Sequence, residues 1–231
     1  MTTIEGFQSR EDVEEYLNNL GIEYRFQCYS ERRPDGCHRL GEFLEAVRND
    51  YEKAAVVFQQ NCDANNFTKS CFKFANYKIV GRGCTSDRQL ALQYHKQACA
   101  GGHPVGCYQA GVLQLGEHGL ERNLPEARKY LHLGCEKDDS ESCFLLSTNY
   151  LNAQRDDAHP VNAEDDAKAF YYTKRACDLN HMYACANLHQ MYKKAIGCGA
   201  DEEAARMAKK KAIALRDLYR PGAPSIVFGE Q

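Results

Sequence analysis

The 231-residue chain contains no apolar stretch of membrane-spanning length. It has no excess of one charge either: 29 Lys and Arg against 32 Asp and Glu leave a net charge of −3, which argues against non-specific binding of nucleic acid. Met1 to Glu15 is acidic, with neither a secretory apolar core nor the Arg-rich character of a matrix presequence. No two cysteines stand at C-x₂₋₄-C spacing, which removes the usual zinc pattern and the C-x-x-C exchange motif together. H-E-x-x-H and C-x-x-C-H are absent, and no credible run of strands is found.

What the chain does have is paired cysteine. Ten of its 12 cysteines form the pairs Cys28/Cys37, Cys62/Cys71, Cys99/Cys107, Cys135/Cys143 and Cys177/Cys185. The members of a pair stand eight or nine positions apart, and the pairs recur at the period of helical-hairpin repeats. Eight residues before the first cysteine of each later pair comes Ala54, Ala91, Ala127 or Ala169; three residues further on comes Val57, Tyr94, Tyr130 or Tyr172. Three residues after each second cysteine begins an apolar step: Leu40-Gly41, Phe74-Ala75, Ala110-Gly111, Leu146-Ser147 and Leu188-His189. This spacing puts small and large apolar residues on one helical stripe. A single hairpin cannot bury such a face, so neighbouring hairpins must stack.

The pattern predicts an all-α, right-handed α-solenoid of helical hairpins. Its A helices begin near Cys37, Cys71, Cys107, Cys143 and Cys185. Its B helices cover 50–63, 87–100, 124–136, 164–178 and 201–218, and a further helix near 9–20 starts at an Ser9 N-cap. The repeats occupy 34–66, 67–103, 104–139, 140–181 and 182–218, between a leading segment 1–33 and a tail 219–231, in one elongated domain. Each cysteine pair then links the end of a B helix to the start of the next A helix, within disulfide reach. At the register of a sixth pair stands Ala212-Ile213, because no repeat follows.

These residues resemble Sel1-like repeats, whose leucine-glycine step, glycine loop and alanine-aromatic run read here as Ala110-Gly111, Gly116 and Glu126-Ala127 through Tyr130. The run is fuller at Asp166-Ala167-Lys168-Ala169-Phe170-Tyr171-Tyr172. The stapled version is similar to the Hcp-like subgroup, and within it to metazoan members, through Cys28-Tyr29, Pro34-Asp35-Gly36-Cys37, Ala176-Cys177-Asp178-Leu179, Ala184-Cys185-Ala186-Asn187 and Met191-Tyr192-Lys193. The resemblance implies a non-enzymatic scaffold of the mitochondrial intermembrane space, with protein partners, that serves the building of respiratory-chain complexes, chiefly cytochrome c oxidase. Stapled cysteines without a signal peptide fit that compartment and conflict with the reducing cytosol. Departures from the repeat pattern are Cys84 and Cys198, which lie outside the paired register and are expected as free thiols, and His189, at a position where other repeats have a small residue.

Two other chemistries compete with the scaffold. One is a haem-binding or thiol-redox role; His118, His189 and Met191 are the candidate haem ligands, since a His/Met pair can hold that cofactor. The other is a β-lactamase or penicillin-binding activity, known among Hcp-like relatives, for which Ser70-Cys71-Phe72-Lys73 spells S-x-x-K without its companion motifs. No metal site is expected. His103 and His181 occupy equivalent B–A turns, where a turn role is the default, and the polar loop Gln154–Ala163 reads as an insertion or a recognition element.

Overall fold

The computed structural model describes residues 9–116, 119–152 and 162–218, and the described residues form helices joined by turns and loops, without a strand. The chain forms two compact units, divided between Glu121 and Arg122. The division falls inside the connection between the sixth and seventh helices, which carries Gly116 and Gly119 and no cysteine pair.

The first unit holds α1 (Arg10–Arg25), a π-helical turn (Phe26–Ser30), α2 (Pro34–Ala46), α3 (Tyr51–Asn65), α4 (Thr68–Val80), α5 (Arg88–Ala100) and α6 (Pro104–Gln114). The second holds α7 (Leu124–Glu136), α8 (Ser140–Asn152), α9 (Ala163–Asp178), α10 (Met182–Lys194) and α11 (Glu202–Leu218). Side-chain caps start most of the helices, α2 and α4 being without one. Ser9 and Asp12 form a reciprocal capping box; Asp50, Asp87, Asn123 and Asn162 accept from backbone N–H groups of their first turns. The B helices lie close to the expected ranges.

Two boundaries differ from expectation. Each A helix begins three residues upstream of its cysteine, at Pro34, Thr68, Pro104, Ser140 and Met182. Before α6, α8 and α10 the cap residue, His103, Asp139 or His181, accepts from a first-turn N–H, and Pro34 opens α2, so the cysteine falls inside the helix. The first helix runs through Gly21 to Arg25, past the expected end at residue 20, because the Phe43 ring packs against that glycine; a Cβ there would stand 2.8 Å from it.

The alanines and the apolar steps form the core. Ala54, Ala91, Ala127 and Ala169 are fully buried, as are Leu40, Phe74, Ala110 and Leu146 within about a percent. Close approach explains the glycine of the first step: a Cβ on Gly41 would sit 2.4 Å from the ring of Phe58. Gly83 and Gly197 do the same for the A–B loops. Both have positive φ, and a Cβ on either would lie 2.1 Å from a backbone carbonyl oxygen, that of Tyr51 or Asp166, at the head of the preceding B helix. Each glycine therefore lets its loop press onto the neighbouring hairpin.

Candidate functional site: stapled junctions and the open last hairpin

The five cysteine pairs are disulfides, with Cα–Cα distances of 4.3, 4.8, 4.5, 4.6 and 4.6 Å in chain order. Each joins the B-helix end, or for the first pair the π-helical turn, to the first turn of the next A helix. All ten cysteines are buried, so the staples belong to the core rather than to a reactive surface. Cys84 and Cys198 are free and half-buried. Both are the fourth residue past their A helix, α4 or α10, so they are equivalent loop thiols. Burial, then Asp201, raises the Cys198 thiol above its ordinary range, and the thiol donates to the Met191 carbonyl at 3.7 Å. Such a group stays protonated and is a poor nucleophile.

Ser70 has the neighbours of a catalytic serine but not its access. Its hydroxyl lies 3.0 Å from His38 Nδ1, and His38 Nε2 lies 3.5 Å from Glu42. Asn61 Nδ2 donates to Ser70 Oγ and to the Pro34 carbonyl, both at 2.8 Å, which leaves the serine proton directed at His38. Lys73, the last residue of S-x-x-K, is paired with Glu45 at 2.8 Å. Ser70 is 0 % exposed, so no substrate carbonyl can reach Oγ. Burial lowers the His38 pKa, with Glu42 opposing and Lys69 and Lys73 adding to the shift. The group is a polar tie that binds α2, α3 and α4 together.

Of the expected haem ligands, His189 and Met191 stand on different faces of α10. His118 lies outside the described residues, as do most of the Gln154–Ala163 loop and the tail from Tyr219. Met191 is 2 % exposed and fills the core position that Phe43, Tyr77 and Leu113 fill in other A helices. His189 lies on a different face of α10, where its Nδ1 donates to the Ala205 carbonyl at 2.9 Å and leaves the Nε2 lone pair free. His103 and His181 are N-caps: each Nδ1 accepts from a backbone N–H at 3.1 Å, and each ring stacks on the phenylalanine after the preceding repeat's second cysteine, Phe72 at 4.4 Å or Phe144 at 4.2 Å.

Two features escape a reading of the sequence. His95 takes the core position that Phe58, Leu131 and Thr173 take in other B helices, four residues before the cysteine; it is fully buried, and neither ring nitrogen has a hydrogen-bond partner. Burial, with a smaller push from His103, lowers its pKa to about 3. The register alone flags this residue, as a polar side chain in an apolar slot. The second feature is a groove of about 400 Å³ between α10 and α11, with Met182, Ala186 and His189 on one wall and Lys209, Ala212 and Ile213 on the other. Ile213 does stand in the sixth cysteine slot, but it is 40 % exposed. A larger groove, about 680 Å³, lies in the first unit over Leu40, Leu44, Val56 and Val57, rimmed by Arg25 and Arg48. No helix among the described residues is long and apolar enough to cross a membrane.

Comparison with known proteins bears on this arrangement. The Sel1 repeat model matches residues 69–103, 104–139 and 140–181. Among curated proteins, cytochrome c oxidase assembly factor 7 of Danio rerio is 36% identical over the full length of both chains. The human protein of that name is 34% identical, over 96% of this chain and 97% of its own. The cytochrome c oxidase assembly factor 7 homolog of Drosophila melanogaster is 32% identical over 94% of each. Among solved structures, a Sel1 repeat protein from Oxalobacter formigenes superposes with a TM-score of 0.72 at 17% identity, over 88% of this chain and 83% of its own, a likeness of fold alone.

Proposed function

The chain belongs to the cytochrome c oxidase assembly factor 7 family of Sel1-repeat proteins, and we propose that it serves cytochrome c oxidase assembly as a non-enzymatic scaffold in the mitochondrial intermembrane space. The observation that carries the role is similarity along the whole chain, at 32–36% identity, to proteins named for that assembly. The site chemistry is consistent with it. The serine of the S-x-x-K motif is sealed in the core, and the Cys198 thiol is held protonated. Helical-hairpin arrays bind partners through side chains spread along helix faces, with affinity built from many contacts. Five buried disulfides support an oxidising compartment, since their reduced forms would leave ten thiols in the core.

The test is depletion of the protein, followed by native-gel analysis of assembled cytochrome c oxidase. The complex should fall and be restored by the wild-type chain, and the protein should lose protease protection once the outer mitochondrial membrane alone is opened. Full oxidase levels without the protein would end the assembly reading; protection that lasts until the inner membrane is breached would end the compartment assignment.

The fixed tautomer of His189 favours one second reading, haem binding through its free Nε2. Met191 contributes nothing to it, because its side chain is in the core. A Soret shift on titration with haem that His189→Ala abolishes supports this reading; a shift indifferent to that substitution ends it.

A further inference from the structure

The groove between α10 and α11 is the seat that every earlier B helix gives to the A helix after it. Four residues before the cysteine slot stand Phe58, His95, Leu131 and Thr173, each 0 % exposed, whereas α11 has an exposed Lys209. In the cysteine slot Cys62, Cys99, Cys135 and Cys177 are at most 3 % exposed, against 40 % for Ile213. The A-helix wall changes in parallel. Directly after the second cysteine other repeats place a ring, His38, Phe72 or Phe144, that lies 5.4, 4.4 or 4.2 Å from the ring capping the next A helix. Here α10 has an exposed Ala186, which leaves that space open.

The geometry points to a sixth A helix supplied in trans: a short amphipathic helix of a partner protein, acidic at its flanks, which seats small apolar residues on Ala212 and Ile213 and a ring over Ala186. Its shape is that of the helices occupying the four internal seats, α4, α6, α8 and α10. Its charge follows from the walls, whose charged groups are Lys209 and Arg216, both basic and both exposed. Arg216 pairs with Asp217 at 2.8 Å, but both side chains face solvent, where such a pair yields readily to a better partner. In composition the segment after Leu218 matches this occupant less well: it carries Pro221 and Pro224 within the length of such a helix, and its Arg220 offsets Glu230. Helix-in-groove recognition needs a preformed apolar trough with a charged rim, and the trough here is fixed by the same packing that builds the other junctions. The inference rests on the scaffold reading and gives it a docking end.

The experiment uses the full chain and two synthetic peptides. One copies α8, Ser140–Asn152, with alanine at the cysteine position and Glu141 retained; the other copies α4, Thr68–Val80, which carries Lys69, Lys73 and Lys78. By fluorescence anisotropy the acidic peptide should bind saturably and at least 10-fold tighter than the basic one. Ile213→Asp and Ala186→Arg, both at exposed positions, should weaken it by 10-fold or more with unchanged melting of the chain. Equal affinity for the two peptides, no binding, or binding indifferent to both substitutions overturns the seat. In mitochondria, a photo-crosslinker at position 186 should capture a helical segment with acidic flanks; capture of residues 219–231 or of a second copy overturns it. A seat that binds as described in a protein dispensable for oxidase would leave this inference standing and remove the assembly role.

Discussion

The disulfide between Cys99 and Cys107 is the place to measure what a staple contributes. It closes a loop with a sequence separation of 8 between α5 and α6, and both cysteines are at most 2 % exposed. In the chain-entropy treatment a loop of that size removes about 8 cal/mol/K from the unfolded ensemble, or about 2.5 kcal/mol at room temperature. Removing both sulfurs also leaves a small void, so the double variant Cys99→Ala/Cys107→Ala mixes two effects. A double-mutant cycle separates them. Each single variant loses the void contribution of one sulfur and the whole staple; the double variant loses both sulfurs but the staple only once. The coupling energy should therefore be about 2.5 kcal/mol, with the packing losses cancelling. Urea unfolding by circular dichroism, with an m-value near 2 kcal/mol/M, turns that into a midpoint difference of about 1.2 M. Hydrogen exchange of the α5 and α6 amides assigns the loss to this junction. A coupling energy near zero under non-reducing conditions would refute the reasoning, since the pair would then be either unbonded or already close in the unfolded chain.

His95→Phe should stabilise the first unit by about 1–2 kcal/mol in the same assay, because it puts the ring of Phe58's position into an equivalent slot and removes two buried nitrogens without partners. A histidine with a depressed folded-state pKa takes up its proton first in the unfolded chain. The stability it permits is thus complete above pH about 6.5 and declines as pH falls toward about 3, by about 1.4 kcal/mol per unit. The wild type should lose on the order of 2–3 kcal/mol between pH 6.5 and 4.5, and His95→Phe should lose measurably less; parallel pH profiles would acquit this residue. Gly197→Ala should cost more than about 2 kcal/mol, since positive φ and a carbonyl 2.1 Å from the new Cβ both oppose it, whereas Gly119→Ala, with positive φ and nothing within 4 Å, should cost only about 1 kcal/mol. Equal losses at the two sites would show that the backbone conformation alone decides. Ser70→Ala should lower stability by about 1–2 kcal/mol by orphaning His38 Nδ1 and an Asn61 donor, and should leave nitrocefin as unreactive as with the wild type. Hydrolysis by the wild type that this substitution abolishes would count against the buried-tie account.

The hairpin array, its period and the cysteine register are legible in the sequence because they rest on repetition: the same alanine, aromatic and apolar step recur at fixed distances from each cysteine, so each position is read several times over. Helix ends are less legible. The A helices start three residues early because caps as unlike as His103 and Asp139 do the same work, and a mixed set of residues leaves no common letter. His95 is visible only once its register partner Phe58 is known to be in the core. The pair His189 and Met191 illustrates the opposite case. Sequence proximity placed His189 beside Met191, yet two steps along a helix turn a side chain by about 200°, so one residue enters the core and the other the groove. Ser70 reads in the sequence as a lone motif, because its partners, His38 and Asn61, stand 32 and 9 positions away on other helices.

The equivalent placement of the two unpaired thiols carries a consequence for how the chain acquires its bonds. Cys84 lies 13 positions beyond Cys71, and Cys198 lies 13 beyond Cys185, while the native partners lie 9 and 8 positions before them. Because the cost of closing a loop grows only with the logarithm of its length, these differences favour the native bond by about 0.3–0.4 kcal/mol, about a factor of two in an oxidising chain with no other guidance. Nearness along the sequence therefore does not sort the sulfurs. The sorting falls to helix formation: once α4 or α10 winds, its first-turn cysteine stands at one end and the spare thiol is held toward the other, on the order of 10 Å away. Winding of the A helix before oxidation is thus what keeps Cys84 and Cys198 out of the wrong bond.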